Sequence, residues 1–167
     1  MGIKAKNLFP HSIKKEGVAK MKTLMVVILL NMLMFTSAMA RDSIESYSVK
    51  DALATDTAKE KLGTDVSFYF GNSKHGEVLK TFGTFSTNKK TNAFNKSDKE
   101  ACQWVFLSAM IALKDRAVRE GGNAVINIKS IYRNNTTSSN NSFQCGAGTI
   151  IAGVALEGTV VEIITKD

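Results

Sequence analysis

One long apolar run stands apart from a body of short alternating and periodic stretches. It begins on Lys22, runs apolar from Leu24 to Phe35 with Asn31 as its polar break, and closes on Ser37-Ala38-Met39-Ala40. A positive start, an apolar stretch of about a dozen residues and an Ala-x-Ala ending describe a secretory signal peptide, cut between Ala40 and Arg41. The run is too short for a bilayer span of about 20 residues, and small residues rather than charges follow it, which argues against an uncleaved anchor. Arg41, not a cysteine, follows the cut, so a lipid anchor at that position is excluded. Met21 directly precedes the charged region. Residues 1–20 therefore read either as an upstream start outside the translated protein or as a long basic n-region.

Beyond the cut the pattern changes. Residues 41–64 are polar and helix-prone, with Tyr47, Val49, Leu53 and Leu62 as sparse apolar points, and predict one short helix or two around Val49–Leu62. Val66, Phe68 and Phe70 alternate with Ser67 and Tyr69, the period of a half-buried strand. Gly71 to Gly76 reads as a turn of the kind that joins hairpin strands, and Val78 to Phe85 as the second strand. Ser86 to Asp98 reads as a polar loop around a lone Phe94.

Ser97-x-x-Glu100 is a capping box, and it opens the clearest element, a helix over 98–120 that Gly121-Gly122 stops. Ala101, Val105, Ala109, Ala112 and Ala117 form a small-residue stripe suited to close approach on a sheet. Trp104, Phe106, Leu107, Met110, Ile111 and Leu113 cover most other directions. A helix apolar nearly all round needs a second packing partner, which is either the 49–62 segment or another subunit. After it, Asn123 to Tyr132 predicts a strand, and Arg133 to Ser142 a loop too polar to bury. Phe143 to Ile164 reads as one long strand with a bulge, or a hairpin, at Gly153 and Gly158. The expected fold is α+β: a mainly antiparallel sheet of about four or five strands in the order β-β-α-β-β, one long helix on one face, and a short N-terminal helix.

Charge changes the picture less than it first suggests. The 167-residue chain carries 22 Lys and Arg against 15 Asp and Glu, a net of +7. Residues 1–40 hold six Lys and one Glu, which leaves 16 basic and 14 acidic residues in the mature part, a net of +2. The basic balance belongs to the targeting segment and makes no case for nucleic acid. Residues 65–167 are expected to form a single domain after a polar N-terminal segment over 41–64. Both cysteines, Cys102 and Cys145, lie in the mature part. In an exported chain they most simply form one disulfide; two buried thiols packed as small hydrophobes are the alternative.

No motif carries chemistry. Gly146-Ala147-Gly148 and Gly121-Gly122 lack a following Gly-Lys-Ser/Thr, so no nucleotide site is expected. His75 is the sole mature histidine and has no ligand-spaced partner, so neither metal nor cofactor is expected. Ser108 lies mid-helix without a base and is no nucleophile candidate. Lys89, Lys90 and Lys96 with Phe94 form a small basic loop, a candidate contact with an anionic surface or glycan, although a plainly solvated loop explains it as well.

Phe85 through Ser97-Asp98, Glu100-Ala101-Cys102-Gln103-Trp104, Glu120 to Ser130, Cys145-Gly146-Ala147-Gly148 and Gly153-Val154-Ala155-Leu156 resemble one family. Its members are small exported bacterial proteins that carry the label "excinuclease ATPase subunit". That label implies phosphate loops, cysteine zinc modules and a cytoplasmic address. The sequence has no phosphate loop, so the label attaches to no residue here. The Ala-spaced helix followed by Gly-Gly-Asn-Ala-Val is more distantly similar to YbjQ-like domains and to the C-terminal domain of the RcsF lipoprotein. This resemblance implies a compact binding or sensing module; the chain lacks the four cysteines of the RcsF domain.

The sequence therefore predicts a periplasmic or secreted, non-enzymatic binding domain. Its expected partner is an envelope component or a second copy of the chain meeting helix 101–113, with no nucleic acid, no nucleotide and no membrane span after cleavage. The alternative is a small envelope enzyme whose site gathers residues distant in sequence.

Overall fold

The computed structural model describes residues 42–165 together with Met25. The predicted signal segment and its cut at Ala40-Arg41 lie outside the described residues. The elements run β1 (Asp42–Ser48), α1 (Val49–Leu53), α2 (Asp56–Leu62), β2 (Ser67–Phe70), β3 (Val78–Asn92), α3 (Asp98–Glu120), β4 (Ala124–Ser130), a 3-10 turn (Tyr132–Asn134), β5 (Ser142–Gly148) and β6 (Ile151–Ile163). The fold is α+β.

All six strands belong to one sheet, and β6 is its hub. β3 pairs with β6 along one edge, from Val78↔Ile163 to Asn92↔Ile151. On the other edge β5 meets the start of β6 through Gly146↔Gly153, and β4 meets the rest through Ala124↔Val161 and its neighbours. β1 flanks β5 and β2 flanks β4. Every pairing is antiparallel except β2 with β4.

Helix α3 begins and ends as its sequence dictates. The Ser97 hydroxyl accepts the Glu100 N–H at 3.2 Å, and Asp98 and Glu100 complement the positive end of the helix dipole. Gly121 takes the left-handed conformation at φ 81°, and the Gly122 N–H returns to the Ala117 carbonyl at 2.8 Å. A Cβ on Gly122 would lie 2.6 Å from Val160 Cγ1, so glycine also lets the chain turn tightly onto β6.

The helix packs on β3, β5 and β6. Ala101, Val105, Ala109 and Ala117 are fully buried, as are Phe106 and Met110. The Phe106 ring stacks on Phe143 of β5 at 3.9 Å between centroids. Cys102 and Cys145 form a disulfide, tying the second turn of α3 to β5 across 43 residues of sequence. Two short helices, α1 and α2, cover the flank of α3 with Val49, Ala52, Ala58 and Leu62. The second packing partner of the helix thus comes from the 49–62 segment of the same chain. Trp104 stays 48% exposed beside it.

Five expectations are corrected. Residues 86–92 are not loop but the second half of the 15-residue strand β3; backbone pairing with β6 holds a Ser/Thr/Asn/Lys sequence that burial would not. The Gly71–Gly76 turn joins no hairpin, because β2 pairs with β4 and β3 with β6. Residues 42–48 form a strand on β5 rather than part of a polar helical segment. The tail divides into β5 and β6 at Thr149-Ile150, ahead of both glycines that were expected to mark the break. The 133–142 stretch, expected to be a plain loop, starts with the 3-10 turn and bridges Thr137 to Ser130.

Candidate functional site

Alternation along the strands divides the sheet into two faces. Ala152, Val154, Leu156 and Val160 of β6 belong to the helix-side core, as do Phe143, Cys145 and Ala147 of β5. The intervening residues form the outer face. There β3 and β6 present a polar ladder. Thr84 Oγ1 lies 3.0 Å from Thr159 Oγ1, and Ser86 Oγ donates to Glu157 Oε2 at 3.2 Å. Lys129 of β4 reaches the same carboxylate at 3.0 Å. A small apolar cluster of Ala124, Ile126, Val161 and Ile163, packed against Tyr69, closes one end of this face.

At the other end lies an open cleft of about 520 Å³. β3 supplies Ser86, Thr87, Asn88 and Lys90, β6 supplies Ala155, and residues 131–134 form the opposite wall. The Ile131 N–H donates to the Ala155 carbonyl at 2.9 Å and fixes that wall to β6. Ser130, buried at its foot, accepts the Gln144 N–H at 2.8 Å.

The wall is a strained piece of backbone. Arg133 and Asn134 both adopt the left-handed region, at φ 50° and 62°. Asparagine enters that region readily and arginine does not, at a cost on the order of 1–2 kcal/mol. The turn seats the Tyr132 ring against β5 and β6. A Cβ on Gly146 would collide with the ring, and one on Gly153 would lie 3.4 Å from Tyr132 Cε2. The two glycines are the bed of the tyrosine. The Arg133 guanidinium lies 5.7 Å from the centre of the same ring.

The predicted contact residues are dispersed. Lys89 and Lys90 are consecutive on β3 and so project from opposite faces; only Lys90 lines the cleft. Phe94 is 58% exposed in the turn after β3, its N–H bonded to Asn92 Oδ1 at 2.8 Å. Lys96 Nζ donates to the Asn92 carbonyl at 3.2 Å. The structure brings in Ser86, Asn88, Tyr132, Arg133 and Asn134 instead. The one sequence signal for them was the glycine pair, which marks a close approach when it falls inside strands.

The cleft gathers hydroxyl, amide and cationic groups. Its described lining holds no carboxylate and no imidazole; the Ser86 hydroxyl does meet a carboxylate just outside that lining, Glu157, which is itself paired with Lys129. His75 sits elsewhere, with Nδ1 2.8 Å from the Gly76 carbonyl and its ring edge-on to Tyr69 at 5.7 Å. Ser108 donates to the Trp104 carbonyl at 3.0 Å on the exposed side of α3. Two other hollows are a groove of about 140 Å³ at Trp104, Ala52 and Thr55, and one of about 410 Å³ near Val49, Phe68 and Asn140. Among the described residues no three or more His, Cys, Asp or Glu side chains gather as metal ligands, and no helix is long and apolar enough to cross a membrane.

Comparison with known proteins gives no relative: no family model, no curated protein and no solved structure matches the chain.

Proposed function

We propose that this chain is an exported, non-enzymatic binding domain whose ligand occupies the outer-face cleft between β3 and the Tyr132–Asn134 turn. The carrying observation is the cleft itself: about 520 Å³, lined mostly by hydrogen-bonding side chains, with a strained and firmly seated wall. Sites of that size with a few convergent polar groups suit a small ligand or a segment of a larger one. Strain held in place by surrounding structure is a feature that binding sites share.

Export is supported by two independent features. The Ala-x-Ala segment ends at Ala40, and the cysteine pair is bonded, as befits an oxidising compartment. The resemblance to small exported bacterial domains points the same way. Mass spectrometry of the protein taken from the periplasm and medium tests the placement: a chain starting at Arg41 is expected, and an intact chain in the cytosol would refute it. Binding is tested by Asn88→Ala, which removes one amide from the cleft and nothing from the core. Ligand-dependent broadening of amide signals at Asn88, Ala155 and Asn134 is expected in the wild type and is lost in the variant.

Self-association through helix 101–113 is the second reading, and it has one observation in its favour, the exposed Trp104 beside a shallow groove. Sedimentation of the wild type against Trp104→Gln decides it: a concentration-dependent dimer that the substitution abolishes would support it, and a monomer at every concentration would remove it.

A further inference from the structure

We propose that the ligand of the outer-face cleft is an anionic sugar, one that carries a carboxylate or a phosphate; this deepens the binding reading above and rests on it. The charge of the lining is one-sided. Lys90 stands on one wall and Arg133 on the other, and no acidic residue lines the cleft among the described residues. The Glu157 carboxylate beside the cleft is engaged by Lys129 at 3.0 Å and by the Ser86 hydroxyl at 3.2 Å. An anion entering from solvent therefore meets the Lys90 ammonium, and charge-assisted hydrogen bonds are the stronger kind.

The remaining lining specifies what the anion is attached to. Ser86, Asn88 and Asn134 offer a hydroxyl and two amides, groups that both donate and accept. Vicinal sugar hydroxyls need that dual capacity, whereas a bare inorganic anion needs donors alone. Ala155 and Ile131 are the aliphatic residues of the lining, and one face of the Tyr132 ring is occupied by its glycine bed. A hydroxylated anion finds every group it requires.

Lys89 supplies an internal control, because it sits next to Lys90 in sequence and on the other face of the strand. Calorimetric titration of the purified protein uses four probes: a uronate trisaccharide, a neutral trisaccharide of the same length, a sugar phosphate and inorganic phosphate. Binding of the uronate or the sugar phosphate is expected, whichever binds naming the source of the charge, with the neutral sugar and phosphate alone at least tenfold weaker. Lys90→Gln is expected to weaken that binding by about tenfold to a hundredfold, and Lys89→Gln to leave it within about twofold. Unchanged thermal unfolding of both variants keeps the comparison valid. Equal binding of the neutral sugar, lost on Asn88→Ala, would overturn the anionic assignment while leaving the binding function standing. Equal losses from Lys89→Gln and Lys90→Gln, or no binding of either anionic sugar, would also overturn it.

Discussion

The two faces of this sheet solve different problems. The helix side is dry, and it concentrates the large side chains Phe106, Phe143, Met110, Leu113 and Leu156 under α3. A disulfide closes over it. The outer side carries hydroxyls, amides and an ion pair, with two glycines on which the Tyr132 ring rests. A sheet needs only one face buried to be stable, and this one is covered by a helix with apolar residues to spare. The other face is thereby free to hold polar groups and a strained turn that a stability requirement alone would remove. The division makes a concrete claim: stability is stored on the helix side and recognition on the outer side.

Substitution on the helix side should have the largest effect. Phe106→Ala empties a site stacked on Phe143 at 3.9 Å and fully closed to solvent. A loss of about 3–5 kcal/mol in denaturant unfolding is expected. A loss below about 1 kcal/mol, smaller than an average substitution, would break the division at its strongest point. Next comes the disulfide. Its cysteines are 43 residues apart, and removing a crosslink over such a loop costs up to about 4 kcal/mol in the chain-entropy model. Reduction, or the Cys102→Ala and Cys145→Ala pair, should lower the unfolding midpoint while the cleft of the folded fraction keeps its ligand affinity.

A glycine on the outer side should show the opposite balance. Gly146→Ala places a methyl where the Tyr132 ring lies and drives the ring out of its bed. The cost is about 1–3 kcal/mol, since a half-buried ring can swing toward solvent where a core ring cannot. Ligand binding should fall much further than stability, because the displaced ring takes Arg133 and Asn134 with it. Gly153→Ala meets the ring at 3.4 Å, a contact that a small shift absorbs, and should be milder on both measures. Equal stability losses from Gly146→Ala and Phe106→Ala would mean that the two faces share the core.

How much of this was readable in the chain follows from the same contrast. Helix α3 was legible end to end because local chemistry writes its limits, a serine cap at one end and a glycine pair at the other. The disulfide was legible as a pairing, since two cysteines allow only one. β1 was not: Asp42-Ser43-Ile44-Glu45-Ser46-Tyr47-Ser48 puts Ile44 and Tyr47 three apart, a helical spacing, and only its partner β5 makes it a strand. The second half of β3 was hidden for a similar reason. Its outer row of Ser86, Asn88 and Lys90 lines a cleft rather than a core, so the usual hydrophobic alternation is absent. Glycines misled in the tail. Gly146, Gly153 and Gly158 mark close approach of side chains, Tyr132 to the first two and Val125 Cγ1 to the third, and not the place where the chain turns. The cleft was legible only through Lys90, because its other wall lies 40 residues away on a turn whose strained backbone no residue pattern announces.

The smallest effect gives the sharpest test, because it separates charge from packing. Lys129 and Glu157 are 36% and 27% exposed and 3.0 Å apart, beside the cleft but outside its lining. Removing such a partly solvated pair costs little, about 0.5 kcal/mol. Lys129→Ala should therefore leave unfolding almost unchanged. It also leaves the Glu157 carboxylate with only the Ser86 hydroxyl, and its negative field then reaches Lys90 and Arg133 across the cleft. Affinity for an anionic sugar should drop a few-fold, and the drop should shrink as salt rises toward a Debye length of about 3 Å at 1 M. Glu157→Gln reverses the sign, removing the negative charge and raising affinity at low salt. If both substitutions moved affinity in the same direction, the field of this pair would not reach the ligand, and the outer face would recognise it by shape and hydrogen bonding alone.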